Sequence, residues 1–437
     1  MFGTFRSPKA VYFGAGQRAL LARIVAGFGQ RTLICTDERL ASDPVFGALV
    51  ESVTRAGVAV TVFSRTLPDV PTSCVEDAAS VARQIKPDSI VAIGGGSCLD
   101  LGKMAALIHT HGGRPQDYYG EFKVPGPVLP IIALPTTAGT GSEVTPVAVL
   151  SDPDKVLKVG VSDPHLIPSV AICDPELTLS CPASLTAATG ADALTHAIES
   201  FTAIRRSEEA GLPLERVFVG KNAISDHHAL EAVRLISGAL AGVVGDGTRL
   251  DLREQMMYGA MLAGQAFANA GNAAAHALQY PIGALTHTAH GIGVAALMPY
   301  VMAFNLPARA AEFAAIAEAM GVEPDDSQDA LALAAIDAVA ALYGEIGIPA
   351  TLAELGFPED RIEWAAEQAM TAARLVHNNP VALELADMKT ILTAAYHGDR
   401  TSLTDGRANG RGPVHSVARL QTETARGRIP SVEIQSS

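Results

Sequence analysis

Aromatic residues make up only 5% of the chain, tryptophan occurs once, and five cysteines are spread over 437 positions without one Cys-x-x-Cys pair. Cys35, Cys74, Cys98, Cys173 and Cys181 therefore suggest neither a disulfide framework nor a thiolate zinc site. They read as buried or incidental thiols in a reducing cytosol. Positive charge is scarce as well: 32 Lys+Arg against 46 Asp+Glu leave a formal net charge of −14. That balance argues against nucleic-acid and anionic-membrane partners, both of which need a basic surface. The start, MFGTFRSPKAVYFG, lacks a cationic segment followed by an apolar core and does not read as a signal peptide. Long apolar runs are missing too. The stretches 292–304 and 330–343 are broken by Pro299 and Asp337 and fall short of the roughly 20 residues of a spanning helix. A soluble, cytoplasmic protein is expected.

What is present is a chain with 48% hydrophobic residues, rich in Ala, Leu and Val, and too long for one ordinary core. Residues 1–180 alternate short β-branched runs with helical ones, which predicts an α/β dinucleotide-binding domain with a mostly parallel sheet. Strands are expected at 32–36, 59–63, 89–93 and 128–134, with a helix at 74–85. A hairpin is expected from 147–150 and 155–160 around the turn SDPDK, with Lys158 in its second arm. From 181 to 397 the pattern is helical, over 184–201, 225–244, 252–268, 272–285, 291–304, 308–320, 327–346, 352–355 and 359–376. This predicts an all-α domain, and a cleft between the two domains is the natural home of a small-molecule substrate. Residues 398–437 lose periodicity and are expected to form an irregular tail.

Two loops in the first domain have the make-up of phosphate cradles. Gly94, Gly95 and Gly96 follow the strand SIVAI and open a helix carrying Ser97, Asp100 and Lys103. Glycines let the backbone approach a diphosphate, and the helix start supplies free N–H groups; a plain strand-to-helix turn would look the same. The loop PTTAGTGSE adds the hydroxyls of Thr136, Thr137, Thr140 and Ser142. Asp37 closes the 32–36 strand, where a carboxylate accepts the ribose hydroxyls of NAD and repels the 2′-phosphate of NADP. It also suits a helix N-cap, and the two roles are compatible.

In GADALTHAIES, Asp192 and His196 stand four residues apart and share a helical face. The stretch NAAAHALQYPIGALTHTAHGIG adds His276 and His290. Any one of them alone is an ordinary core or surface residue more often than a ligand. Together, one carboxylate and three imidazoles form an N/O set suited to Fe²⁺ or Zn²⁺ and poor for Ca²⁺ or Cu⁺.

The motifs GGGSCLDLGK, PTTAGTGSEVTP, GADALTHAIE and AHALQYPIGALTHTAHG occur in that order. This series resembles the iron-containing (group III) alcohol dehydrogenase family, from about Phe5 to about Tyr396. The resemblance implies an NAD-dependent dehydrogenase acting on a small alcohol or carbonyl compound, with Fe²⁺ or Zn²⁺ at Asp192, His196, His276 and His290. It implies that Lys158 reaches the nucleotide. A homodimer or higher homo-oligomer is expected. Where many members continue His-x-x-x-His on the third ligand helix, this chain has His276-Ala-Leu-Gln-Tyr280. Tyr280 is therefore grouped with His290 in the catalytic set, as a hydroxyl that orients the substrate oxygen rather than as a ligand; a core aromatic is the competing reading. The segment 204–222, with Arg205, Arg206, Arg216 and Lys221, looks like an insertion. A solvated surface loop is favoured there over a substrate lid. That insertion, the following NAISD and Tyr280 also resemble the hydroxyacid–oxoacid transhydrogenase subgroup. Maleylacetate reductases, glycerol dehydrogenases and the non-redox dehydroquinate synthases are further relatives of the fold.

Overall fold

A computed structural model describes residues 3–405. Nine strands are found there: β1 (Ala10–Phe13), β2 (Arg31–Cys35), β3 (Ala59–Phe63), β4 (Ser89–Gly94), β5 (Gly120–Glu121), β6 (Ile131–Pro135), β7 (Val147–Leu150), β8 (Val159–Ser162) and β9 (Val170–Cys173). Six of them form one parallel sheet in the order β1-β9-β6-β4-β2-β3. Alternate residues serve opposite faces. Leu33, Cys35 and Ile90 join one apolar cluster with the Thr72–Ile85 and Gly96–His111 helices, while Ile34, Val91 and Ile93 join another with the Pro44–Arg55 helix. A sheet covered on both faces explains strands that read as nearly continuous apolar runs. The chain steps outward from β2 to β3, then returns past β2 to β4 and continues to β6 and β9. The winding therefore reverses between β2 and β4, and the crevice at the carboxyl ends of these two strands is where such sheets bind ligands.

Two strand expectations need correction. β6 starts at Ile131 rather than 128, because Pro127 and Pro130 lack the N–H needed for the ladder; pairing begins where the Pro130 carbonyl accepts from Ile90 N at 2.9 Å. The second hairpin arm is β8, paired antiparallel with β7 from Leu150↔Val159 to Val147↔Ser162. Lys158 thus lies at the end of the connecting loop and not within the arm.

Beyond β9 the described chain is helical. The Ala183–Thr202 helix is buried over most of its length, with the Ala223–Gly245, Leu250–Ala270 and His290–Ala319 helices packed around it. The His290–Ala319 helix kinks at Arg309 (φ −137°), which divides it into two helices much as expected at 291–304 and 308–320; Pro299 lies inside the first without breaking it, and the bend follows shortly after Pro307. Arg309 is bent for a reason: its guanidinium donates to the carbonyls of Thr202 and Ala203 at 3.0 and 2.8 Å, capping the central helix. By length and composition this helix and Ala223–Gly245 could cross a membrane, contrary to the expectation from sequence. In the first of them 78% of the apolar window is buried, as suits a core helix. Residues 352–355 form turns rather than a helix, and 359–376 breaks into Ile362–Met370 and Ala373–Val376. A helix at Leu385–His397, opened by a capping box of Glu384 and Asp387, was not expected. The irregular tail expected from 398 instead begins with a helical turn at Thr401–Asp405; its remainder lies outside the described residues.

Candidate metal and cofactor site

Asp192 and His196 stand on successive turns of the Ala183–Thr202 helix, His276 near the start of the Ala274–Thr286 helix, and His290 at the first position of the His290–Ala319 helix. Asp192 Oδ1 is 3.6 Å from His196 Nε2, 3.7 Å from His276 Nε2 and 3.7 Å from His290 Nε2. Two donors each about 2.0–2.2 Å from a tetrahedral ion lie roughly 3.3–3.6 Å apart, so this spacing suits one small divalent cation. Asp192, His276 and His290 form the tight group, their ligand atoms all within 4.8 Å of one another. His196 stands at its edge, stacked between Phe267 and His276 with ring centroids 4.6 and 4.8 Å away.

Asp192 Oδ1 and His276 Nε2 are buried without a hydrogen-bond partner among the described residues. Such orphaned atoms are costly unless something satisfies them, and a cation between them would. The far sides of the rings are held. His276 Nδ1 lies 2.6 Å from Glu199 Oε2, and the Glu199 carboxylate also accepts from the backbone N–H groups of Ala273 and Ala275 at 2.9 and 2.7 Å. His290 Nδ1 lies 2.6 Å from Gln279 Oε1. Both acceptors place the ring proton on Nδ1 and leave Nε2 as a lone pair facing Asp192. Burial pushes His196 down to about 4 and His290 down to about 3, so these two imidazoles are neutral at physiological pH. Burial alone would raise Asp192, but the surrounding imidazoles bring its carboxyl below the ordinary value.

The approach of the two ligand helices depends on Gly291. A Cβ there would sit 2.0 Å from the Ala188 carbonyl oxygen and 3.2 Å from Asp192 Cβ. Only a residue without a side chain lets His290 come down beside Asp192.

The nucleotide candidates gather at the β2 and β4 ends. Gly94 (φ +150°) has no room for a side chain, since a Cβ would meet Cys98 Sγ at 2.5 Å; at Gly96 it would meet Thr140 Cγ2 at 2.6 Å. Gly95 precedes the Gly96–His111 helix as its N-cap, with Thr137 beside it. Asp37 caps the Glu38–Ala41 helix by accepting from Leu40 N at 2.8 Å, and among the described residues its other oxygen receives only a weak Cys98 thiol contact at 3.8 Å. Gly96, Ser97, Asp100, Thr140, Ser142 and Lys158 line a cleft that continues to Asp192, His196, His276 and His290. Thr136 does not join them; it faces a separate hollow beside Leu40 and Phe46. Asp100 and Ser142 are largely committed to each other (2.6 Å) and to Lys103. The fully buried Lys103 ammonium donates to Ser142 Oγ and to the Thr145 and Val147 carbonyls at 2.7–2.9 Å, and burial lowers it to about 8. Lys158 pairs with Asp69 at 2.6 Å on the cleft rim.

Residues 8–175 match the family described as iron-containing alcohol dehydrogenase, and residues 186–396 match the C-terminal region of the Fe-containing alcohol dehydrogenase family. The chain belongs to the iron-containing alcohol dehydrogenase family. It is 36% identical over 393 residues to the NAD-dependent methanol dehydrogenase of Bacillus methanolicus, covering 90% of this chain and 99% of that one. It is 39% identical over 346 residues to the 1,3-propanediol dehydrogenase of Citrobacter freundii, covering 78% and 85%. A crystal structure of 1,3-propanediol oxidoreductase superposes with a TM-score of 0.84 at 34% identity, covering 91% of this chain and all of that one.

Within this iron-containing dehydrogenase, the 204–222 segment departs from expectation. Residues 205–216 are mostly exposed, as a solvated loop would be, but Val217 to Asn222 are buried. Phe218 lines the cleft, and Lys221 runs inward to the Phe201 carbonyl at 2.7 Å and Asp226 at 2.9 Å. The apolar triplet VFV within the segment was the overlooked signal. Tyr280 also lines the cleft, its ring centroid 6.2 Å from that of His290. Sequence reasoning missed Glu199 and Gln279 as supports of the histidines. A usable signal existed, since Glu199 lies seven residues after Asp192 and Gln279 three after His276, each on the same helical face.

Proposed function

We propose that this chain is a metal-dependent NAD(H) oxidoreductase that interconverts a small alcohol and its aldehyde or ketone. The carrying observation is that a cleft opening on the Gly96 turn ends at a buried carboxylate oxygen ringed by three imidazole nitrogens at 3.6–3.7 Å. Asp192, His196, His276 and His290 would hold one Fe²⁺ or Zn²⁺, both of which accept this donor set. Gly94, Gly95, Gly96, Ser97, Thr137 and Thr140 would cradle the diphosphate at a helix start, and Asp37 would take the adenosine ribose hydroxyls. Asp100, Ser142 and Lys158 would complete the lining, with Thr136 supporting the loop.

When bound, the ion supplies positive charge where negative charge develops on the reacting oxygen, and the nicotinamide supplies or accepts the hydride. The chain's own part is geometric and electrostatic. Glu199 and Gln279 hold the Nδ1 protons of His276 and His290, so those rings cannot turn. Phe218 and Phe267 keep one wall of the cleft apolar, which strengthens every charge interaction inside it. Tyr280 offers a hydroxyl that orients the substrate oxygen beside His290. The division into 1–180 and 181–397, a homo-oligomeric state and a cytoplasmic location belong to the same reading.

The test is metal removal. Chelation should abolish NADH formation from short alcohols, Fe²⁺ or Zn²⁺ should restore it, and kcat/KM with NAD should exceed that with NADP at least tenfold because Asp37 faces the ribose. Full activity of metal-free protein would sink the metal assignment, and equal efficiency with NADP would sink the role of Asp37.

A further inference from the structure

Most partly buried arginines here are spoken for by oxygen atoms. Arg253 donates to Gly247 O, Thr186 Oγ1 and Cys181 O at 2.8–3.0 Å, and Arg309 to the Thr202 and Ala203 carbonyls. Arg374 is the exception. It lies on the Ala373–Val376 helix, lines the cleft with Tyr280 and Leu375, and stands over the Phe218 ring with its guanidinium carbon 4.4 Å from the centroid. Among the described residues its five N–H donors meet no hydrogen-bond acceptor and no carboxylate. Burial opposes its charge, and Tyr280, Glu121 and Glu199 support that charge only from a distance. Both carboxylates are already engaged, Glu121 by Val217 N at 2.7 Å and Glu199 by His276. The other cation on this cleft, Lys158, is paired with Asp69.

A guanidinium with its fork free and its face on an aromatic ring matches a planar, doubly accepting anion. Tyr280 lines the same cleft, its ring centroid 6.2 Å from that of His290. The same cleft thus offers an anion receptor, a hydroxyl and the ligand cluster. We propose that Arg374 reads a carboxylate on the substrate, so that the compound turned over is a short hydroxy acid or its oxo-acid partner. This deepens the alcohol–carbonyl reading above and rests on it. Phe218, contributed by the 204–222 segment, is the platform that holds the guanidinium.

The experiment compares the metal-reconstituted full chain with its R374Q and R374K variants. Rates with NAD are measured on 2-hydroxybutanoate, 4-hydroxybutanoate and butan-1-ol, and binding of unreactive succinate is followed by calorimetry. The unmutated enzyme should prefer one hydroxy acid over butan-1-ol at least tenfold in kcat/KM. R374Q should lower that value about a hundredfold, chiefly through KM, and butan-1-ol far less; R374K should recover part of the loss. Succinate should bind the unmutated protein and not R374Q. A preference for butan-1-ol, or an equal fall on acid and alcohol in R374Q, would overturn the proposal. Succinate binding that survives R374Q would do so as well. No turnover of any substrate, with succinate binding still dependent on Arg374, would instead defeat the oxidoreductase reading and leave the anion receptor standing.

Discussion

The sheet-bearing part and the helical part build their halves of the cleft in opposite ways. At the β2 and β4 ends the site is made by leaving atoms out: Gly94 and Gly96 have no space for a Cβ, and what they present is bare backbone at a helix start. In the helical part it is made by burying polar atoms. Asp192, His196 and His276 are each at most 4% exposed, and Glu199 only 1%. A cradle of absence fails when something is added, whereas a cluster of buried donors fails when something is taken away, because each remaining partner is then left unsatisfied.

This contrast can be broken by experiment, beginning with the largest effect. His276→Ala removes a ligand, so bound metal should be lost and kcat/KM should fall on the order of a thousandfold, roughly 4 kcal/mol. NADH binding, measured by its dihydronicotinamide fluorescence, should survive; its loss in parallel would show that the two halves are not separable. Glu199→Gln keeps the shape but takes away the charge and one of the acceptor positions used by His276, Ala273 and Ala275. Metal affinity in competition with a chromophoric chelator should drop about a hundredfold. An unchanged affinity would mean that Glu199 merely packs.

Gly96→Ala is the converse experiment. The new Cβ would press on Thr140 Cγ2, and an overpacking cost of about 2 kcal/mol corresponds to roughly thirtyfold weaker NAD binding. Metal content should not change, and a fall in both would undo the contrast drawn above. The smallest effect is expected from Tyr280→Phe, which retains the ring and removes the hydroxyl. A loss of about tenfold in kcat/KM, roughly 1.4 kcal/mol, is the expected outcome, and unchanged kinetics would make Tyr280 a packing residue.

Legibility followed the same divide. The Gly94–Gly96 turn and the Asp192/His196 pair could be read because each is written within a few neighbouring residues, one as a strand followed by glycines and the other as a four-residue helical step. Contacts between distant segments left no such mark. Glu199 and His276 are separated by 77 positions, and the unpaired state of Arg374 is a property of everything around it rather than of its own sequence. The hairpin was read in the right place but Lys158 in the wrong element, because the turn signal SDPDK marks where a loop begins and not how soon pairing resumes. In the helical part, Ala-rich composition blurred the ends. Pro299 sits inside the expected 291–304 helix without a break, whereas the bend at Arg309 comes shortly after Pro307. The Leu385–His397 helix escaped notice, although its capping box begins at Glu384.

The contact at Gly291 also bears on which ions can be exchanged at this site. With the backbone at Gly291 lying against the Ala188 carbonyl, the distance between Asp192 and His290 is limited by main-chain atoms rather than by adjustable side chains. Such a seat behaves like a fixed gauge. It should admit ions of closely similar radius, such as Fe²⁺, Zn²⁺ and Co²⁺, and resist a larger ion such as Ca²⁺ or Cd²⁺, which could enter only by prising the two helices apart.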